Sequence, residues 1–294
     1  MNVLFKNHLK LHFVVLLYGF TAILGKLITL PAAQMVWYRM LIAFVVLGFV
    51  IWFRKIPLQI GWSNILKIMG VGLIVALHWI SFFHAVKVSN VSVTLGCLAS
   101  TTLFASFLEP IIFRKQVKWI EVFIGLVIIS GLYLIFQFEL SYWQGIITAL
   151  VSAFLAGLFT VLNKLFIDKQ HPVVISFYEM ISGFIAIGLF LLFIKGTPDR
   201  FLLPTSMDLV YIIILGVVCT AYAFVVAVDV MKLLSAYTVI LAINMEPVYG
   251  IVLAWLIFGN SELMSAGFYL GTVVILAAVF LHPLLVKKQE KQTT

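Results

Sequence analysis

Apolar residues in this chain do not alternate. They run nearly unbroken for about twenty positions at a time, separated by short clusters that hold most of the polar residues. The runs fall at 11–30, 34–53, 65–86, 91–113, 118–137, 142–166, 173–195, 208–230, 235–258 and 263–285. Crossing about 30 Å of hydrocarbon takes about 20 apolar residues as a helix. Backbone groups in lipid must find partners inside their own segment. The pattern therefore predicts ten transmembrane helices and an all-α membrane protein. The breaks carry loop chemistry: Leu30-Pro31, Ile56-Pro57, His171-Pro172, and the stretch from Gly196 to Asp208 with Pro198 and Pro204.

Composition agrees. The chain is 64% hydrophobic and 10% charged, with mean hydropathy +1.18, whereas a soluble domain is about 25% charged. The net charge of +8 does not point to nucleic acid, because the basic residues sit between apolar runs rather than among stacking aromatics. They act as topology signals instead. With the N-terminus inside, fourteen Lys and Arg fall on the inner side and three (Lys87, Lys195 and Arg200) on the outer, while Lys26 and Arg39 lie within spans. That bias predicts both termini in the cytoplasm of a multi-pass inner (plasma) membrane protein. Cys97 and Cys219 fall inside apolar runs, which supports neither a disulfide framework nor a metal site. Lys6 and Lys10 before the run from Leu11 resemble a signal peptide, but that run has a counterpart later in the chain, so it is expected to stay as part of the fold.

The counterpart belongs to an internal repeat. Gly19 to Leu27 (GFTAILGKL) lies over Gly157 to Leu165 (GLFTVLNKL), Tyr38-Arg39-Met40 over Tyr178-Glu179-Met180, Ala85-Val86 over Ala227-Val228, and Gly125 over Gly271. The expected units are 1–137 and 138–294, five helices each. Glu109-Pro110 and Glu246-Pro247 share a dipeptide but not a register, since the ungapped alignment puts Ser100 opposite Glu246. Five is odd, so the second unit enters the membrane from the opposite face. Such inverted repeats are typical of secondary transporters, with the substrate near the midplane between the halves.

Several residues carry a resemblance to a known family. They are Tyr18-Gly19 and Lys26 in the first span, Pro31 and Arg39 in the second, Phe83 to Lys87 closing the third, and Met245 to Gly250 (MEPVYG) in the ninth. Phe258-Gly259, Glu262 and Gly271 follow. The chain resembles the EamA family of the drug/metabolite transporter superfamily over essentially its whole length, twice. The resemblance implies a ten-helix fold and export or exchange of metabolites, and it names no substrate. One departure is Gln116, where the family's first half often carries Gly-Glu after the fourth span.

Ionisable groups inside a span cost roughly 2.5–3.5 kcal/mol each on insertion scales, so they are candidate site residues. Glu246 ranks first. It is midway along the ninth span, Pro247 should break the helix there, and Asn244 and Tyr249 add polar atoms. Gly250 and Ala254 continue a small-residue face. Arg39 and Glu179 are mates in the repeat, roughly 8–9 Å in from opposite faces at 1.5 Å per residue. They are not expected to pair with each other. A Lys164–Glu179 pair is expected on the inner side, with Lys26 and Arg39 forming a cationic outer half. The competing expectation is that Lys26 and Lys164 snorkel to headgroups. His78-Trp79 could hold a cationic or aromatic substrate or relay protons, or simply pack. Tyr38, Tyr178 and Tyr222 are further polar tips. Glu109 with Arg114 reads as structural, and the small residues of the sixth span as a packing seam.

Nothing resembles a P-loop, HExxH or GxSxG, so neither nucleotide-driven transport nor catalysis is expected, and no cofactor. The expected function is a secondary carrier that exports or exchanges a small metabolite, amino-acid-like or amphipathic and drug-like, by alternating access. Coupling to a proton or a counter-substrate stays open, as does the oligomeric state. The alternatives are a flippase-like carrier of a lipid-linked headgroup and a non-transporting membrane scaffold.

Overall fold

A computed structural model describes residues 3–58, 60–114, 116, 119–193, 201–234 and 236–293. Among them no strand occurs. The helices are α1 (Val3–Leu27), α2 (Ala32–Phe53), α3 (Trp62–Val88), α4 (Val91–Leu98), α5 (Thr101–Phe113), α6 (Trp119–Phe138), α7 (Trp143–Ile167), α8 (Pro172–Phe193), α9 (Ser206–Gly216), α10 (Ala223–Val230), α11 (Ala236–Ile243), α12 (Glu246–Phe258) and α13 (Ala266–Thr293). Each predicted apolar run holds a helix. Seven segments, including the whole of Val91–Phe113 and Ser206–Val230, are long and apolar enough to cross a membrane. α6 and α13 carry shorter apolar stretches, Phe123–Phe138 and Ala266–Ala278. Lys115, Lys118, Lys195, Pro198 and Arg200 lie outside the described residues.

Three of the runs are interrupted. The run 235–258 breaks at Asn244–Met245, where Pro247 lacks the N–H that a continuous helix would need. That break was legible in the sequence. The other two were not. Between α4 and α5 the hydroxyls of Ser100 and Thr101 bond back to the carbonyls of Cys97 and Leu98, each at 2.7 Å. Such bonds compete with the helical ladder. Between α9 and α10, Val217–Tyr222 forms a π-helical turn, and the Thr220 hydroxyl reaches the Leu215 carbonyl five residues back at 2.7 Å. π-turns of this kind often mark functional sites.

Close helix approaches follow glycines. An ideal Cβ on Gly19 of α1 would lie 3.2 Å from the Gly250 nitrogen and 3.4 Å from the Glu246 carbonyl of α12. One on Gly157 of α7 would lie 3.5 Å from the Ala105 nitrogen and 3.4 Å from the Thr101 carbonyl of α5. Gly72 of α3 packs on the backbone of Glu179 in α8, and Gly216 of α9 on that of Arg39 in α2. Gly131 and Gly271 face each other's carbonyls where α6 crosses α13. At Gly72, Gly131 and Gly271, where a Cβ would come within 3.0 Å of the facing backbone, any side chain would hold the helices apart and forfeit their dispersion contacts.

One end of the bundle is laced by polar bonds. Gly259, at φ 60°, ends α12 in a conformation that favours glycine and turns the chain back toward Glu262. The Glu262 carboxylate is fully buried. It pairs with Lys26 Nζ at 2.7 Å and accepts bonds from the Val91 and Ser92 backbone N–H groups and the Ser92 hydroxyl. It thus caps the N-terminus of α4, where the helix dipole favours an anion. At the same end Asp208 accepts two bonds from Thr29, at 2.8 and 2.7 Å, and Lys87 Nζ donates to the Ile28 carbonyl at 2.8 Å.

Candidate functional site

α1, α2, α3, α7, α10 and the two broken helices enclose a cavity of about 80 Å³, lined by Tyr18, Arg39, His78, Trp79, Asn163 and Glu246 among others. It runs from Arg39 toward the far ends of α7 and α10, at Asn163 and Met231. The laced end, with Glu262 and Lys26, lies away from it.

Arg39 is 1% exposed. Its guanidinium carbon lies 3.7 Å from the centre of the Trp79 ring and 5.6 Å from that of Phe83. A desolvated stack of this kind contributes about 2 kcal/mol. Arg39 Nε donates to the Thr220 hydroxyl at 2.5 Å, and Nη2 points to the Cys219 carbonyl at 3.5 Å. Both acceptors belong to the π-turn. Nη1 has no partner. One nitrogen of a rigid, planar, always-charged fork, with both its N–H groups, is therefore left free.

Glu246 is 5% exposed and opens α12. It faces the cavity that Arg39 faces, without an ion pair to it. Beside it the Asn244 amide bonds to the Thr102 hydroxyl, which ties the break in the ninth run to the break in the fourth. Upright spans would put Arg39 roughly 8–9 Å in from one face at 1.5 Å per residue. The packing brings its head group to the cavity that Glu246 also lines.

His78 is fixed rather than free. Its Nδ1 lies 2.9 Å from the Ser152 carbonyl, and the Ser152 hydroxyl donates to the His78 carbonyl at 3.1 Å. Nδ1 also lies 2.8 Å from the Ser152 hydroxyl, so Ser152 holds the ring through two atoms. The ring packs on Phe159 at 5.3 Å. Trp79, in addition to Arg39, meets Phe224 at 5.7 Å.

The remaining candidates lie elsewhere. Tyr222 is 49% exposed and joins Tyr249, Phe13 and Lys10 in a separate side groove of about 640 Å³. Tyr38 donates to the Leu202 carbonyl at 3.1 Å, and Tyr178 packs its ring on Phe177. Lys26 is held by Glu262. The expected Lys164–Glu179 pair does not form. Lys164 Nζ bonds the Met231 carbonyl at the end of α10, with Asp168 at 3.9 Å, because a helix C-terminus offers a cation free carbonyls. Neither Glu179 oxygen has a hydrogen-bond partner. Among the lining residues that the sequence did not single out as site candidates are Tyr18, Asn163 and Thr101. Asn163 carried a signal, since an amide inside an apolar run needs partners as a charge does.

The fold defines a polytopic helical membrane protein with an interior cavity into which a few polar groups point. The model of the EamA-like transporter family matches residues 8–137 and again 143–282, so the chain belongs to that family. It is a membrane transporter, a multi-pass protein of the cell membrane, with a small-molecule substrate. It is 22% identical to the uncharacterized transporter YxxF of Bacillus subtilis (strain 168), over 96% of this chain and 90% of that one. One protein of known crystal structure superposes with a TM-score of 0.69 at 17% identity, covering 95% of this chain and 98% of its own. At that identity the likeness establishes the fold.

Proposed function

We propose that this transporter exports or exchanges a small zwitterionic, amino-acid-like metabolite by alternating access between two inverted five-helix units, 1–137 and 138–294, with both termini cytoplasmic. The observation that carries the substrate class is the pair of unspent charges in one cavity. Arg39 Nη1 has no partner, and the Glu246 carboxylate faces the same space without pairing to it. A substrate carboxylate fits the guanidinium and an ammonium fits Glu246, so one zwitterion satisfies both. Each of those buried charges is costly while unpaired.

Alternating access draws support from the helix contacts. Gly19 meets α12 as Gly157 meets α5, and Gly72 meets Glu179 as Gly216 meets Arg39. Two units packed alike in opposite orientations have inward-open and outward-open states of similar energy. The charge bias puts the Lys26–Glu262 end outside, so the present cavity extends inward.

The side groove by Tyr222 and Tyr249, with Lys10 and His12 at its rim, favours a second reading as a carrier of a lipid-linked headgroup. Amino-acid release from cells overexpressing the chain separates the two. Release should rise several-fold and fall with Glu246→Gln or Arg39→Gln at matched membrane levels. An unchanged release profile alongside altered lipid-linked intermediates would favour the second reading.

A further inference from the structure

Glu179 is 0% exposed, and neither of its oxygens bonds to anything. The polar side chain that interacts with it is Asn163 of α7, which lies beside the carboxylate without meeting hydrogen-bond geometry. Asn163 is also 0% exposed, and neither its oxygen nor its nitrogen is bonded. Ser176, one turn before Glu179 on α8, has an unbonded hydroxyl as well. Buried polar atoms are nearly always paired, so this cluster is unusual and sits outside the Arg39–Glu246 site. It is not isolated from that site, because Asn163 lines the cavity.

We infer that Glu179 and Asn163 form a proton-carrying pair that couples this carrier to a proton gradient. The inference rests on the transporter reading above. The chemistry is that of a carboxylic acid facing a primary amide. With one proton on Glu179, its O–H donates to the Asn163 oxygen and the Asn163 N–H donates to the other Glu179 oxygen. One proton then satisfies all four atoms. Without it, a buried carboxylate faces the amide oxygen with no compensating cation. No charged group faces Glu179 from the described elements packed against it. Lys164 of α7 is turned to Met231, Arg39 of α2 is held by Thr220, His78 of α3 by Ser152, and Asp229 of α10 by Lys232. A sodium ion would use the oxygens but leave the Asn163 nitrogen unpaired, so the amide favours the proton. The proton arrives from water onto a carboxylate oxygen and leaves to water from it, and no other bond changes.

The repeat gives the pair its timing. Glu179 is the mate of Arg39. When the two units exchange conformations, Glu179 takes the cavity floor that Arg39 occupies now, open to the outside, and Arg39 becomes enclosed. Glu179 then exchanges its proton with the outer water, and Asn163 opens the route to the inner cavity on return.

Infrared difference spectra of the purified full-length protein in lipid, recorded across a pH step, test the pair without any substrate. A neutral-carboxyl carbonyl band should be present in the native protein and in Glu246→Gln, shifted in Asn163→Leu, and lost in Glu179→Gln. The same band in Glu179→Gln would overturn the inference. Efflux of a preloaded radiolabelled amino-acid mixture from proteoliposomes should rise several-fold under an opposing proton gradient, and that ratio should fall to about one in Glu179→Gln and not in Gln116→Asn. A gradient response that survives Glu179→Gln would also overturn it. If the native protein moves no amino acid while the band behaves as stated, the substrate reading fails and the proton site stands.

Discussion

Glu246 and Thr101 present their backbone carbonyls in the same way to two glycines, Gly19 and Gly157, each 3.4 Å from where a Cβ would stand. The sequence register put Ser100 opposite Glu246, one position away. The two broken helices thus break at equivalent places, but only one unit carries an acid there. The cavity is built by near-symmetric backbone and charged by asymmetric side chains, the arrangement on which the zwitterion proposal rests.

That packing predicts a graded response at Gly157. A methyl group there meets the Thr101 carbonyl and Ala105 nitrogen at ordinary contact distance, so Gly157→Ala should be neutral or stabilise slightly through helix propensity, by under about 1 kcal/mol. Gly157→Leu should force α7 and α5 apart at a cost of about 1–3 kcal/mol. The midpoint of heat-induced loss of the monodisperse detergent peak measures both.

Arg39→Lys should not rescue transport. The stack on Trp79 and the fork between Thr220 and the cavity both need a planar group with several donors, and a lysine offers neither. The expected release rate is at least tenfold below the native one at equal membrane levels. A rate within twofold would mean that only the positive charge matters.

Thr220→Val keeps the shape of the π-turn side chain and removes its hydroxyl. Arg39 Nε then loses its 2.5 Å acceptor, and hydrogen bonds to charged groups contribute about 1.5–3 kcal/mol. Part of that loss should appear as a raised half-saturating substrate concentration, because Arg39 is no longer aimed. A change in maximal rate alone would place Thr220 in the conformational step instead.

The helices were legible in the sequence because span length and proline chemistry act locally. The break before Pro247 is an example. The break at Ala99–Ser100 and the π-turn at Thr220 were not, because a hydroxyl that bonds back to a carbonyl leaves no mark that separates a broken helix from a whole one. Tyr249 was expected beside Glu246 and lies three residues along α12 in the side groove, since a ninth-span residue can face either way and only the neighbours decide. Glu179 was given Lys164 by depth alone, while the Met231 carbonyl, far away in sequence, is what Lys164 finds.

The outer latch yields the sharpest asymmetry between the two faces. Glu262 joins Lys26 of α1 to the start of α4 through one ion pair and three further hydrogen bonds to its carboxylate. The corresponding inner loop carries Gln116, which is exposed. Glu262→Gln keeps the shape but weakens the pair and the cap, at a cost of about 2 kcal/mol or more. Under the proposed orientation, with this end outside and closed, the loss should act on the balance between states as well as on stability. A cysteine placed at Ser261 should react faster with a membrane-impermeant thiol reagent in the Glu262→Gln background, while one placed at Gln116 should react more slowly or at the same rate. Equal acceleration on both faces would mean that the substitution loosens the whole bundle. No acceleration on either would mean that the loops, rather than Glu262, keep the outer face shut.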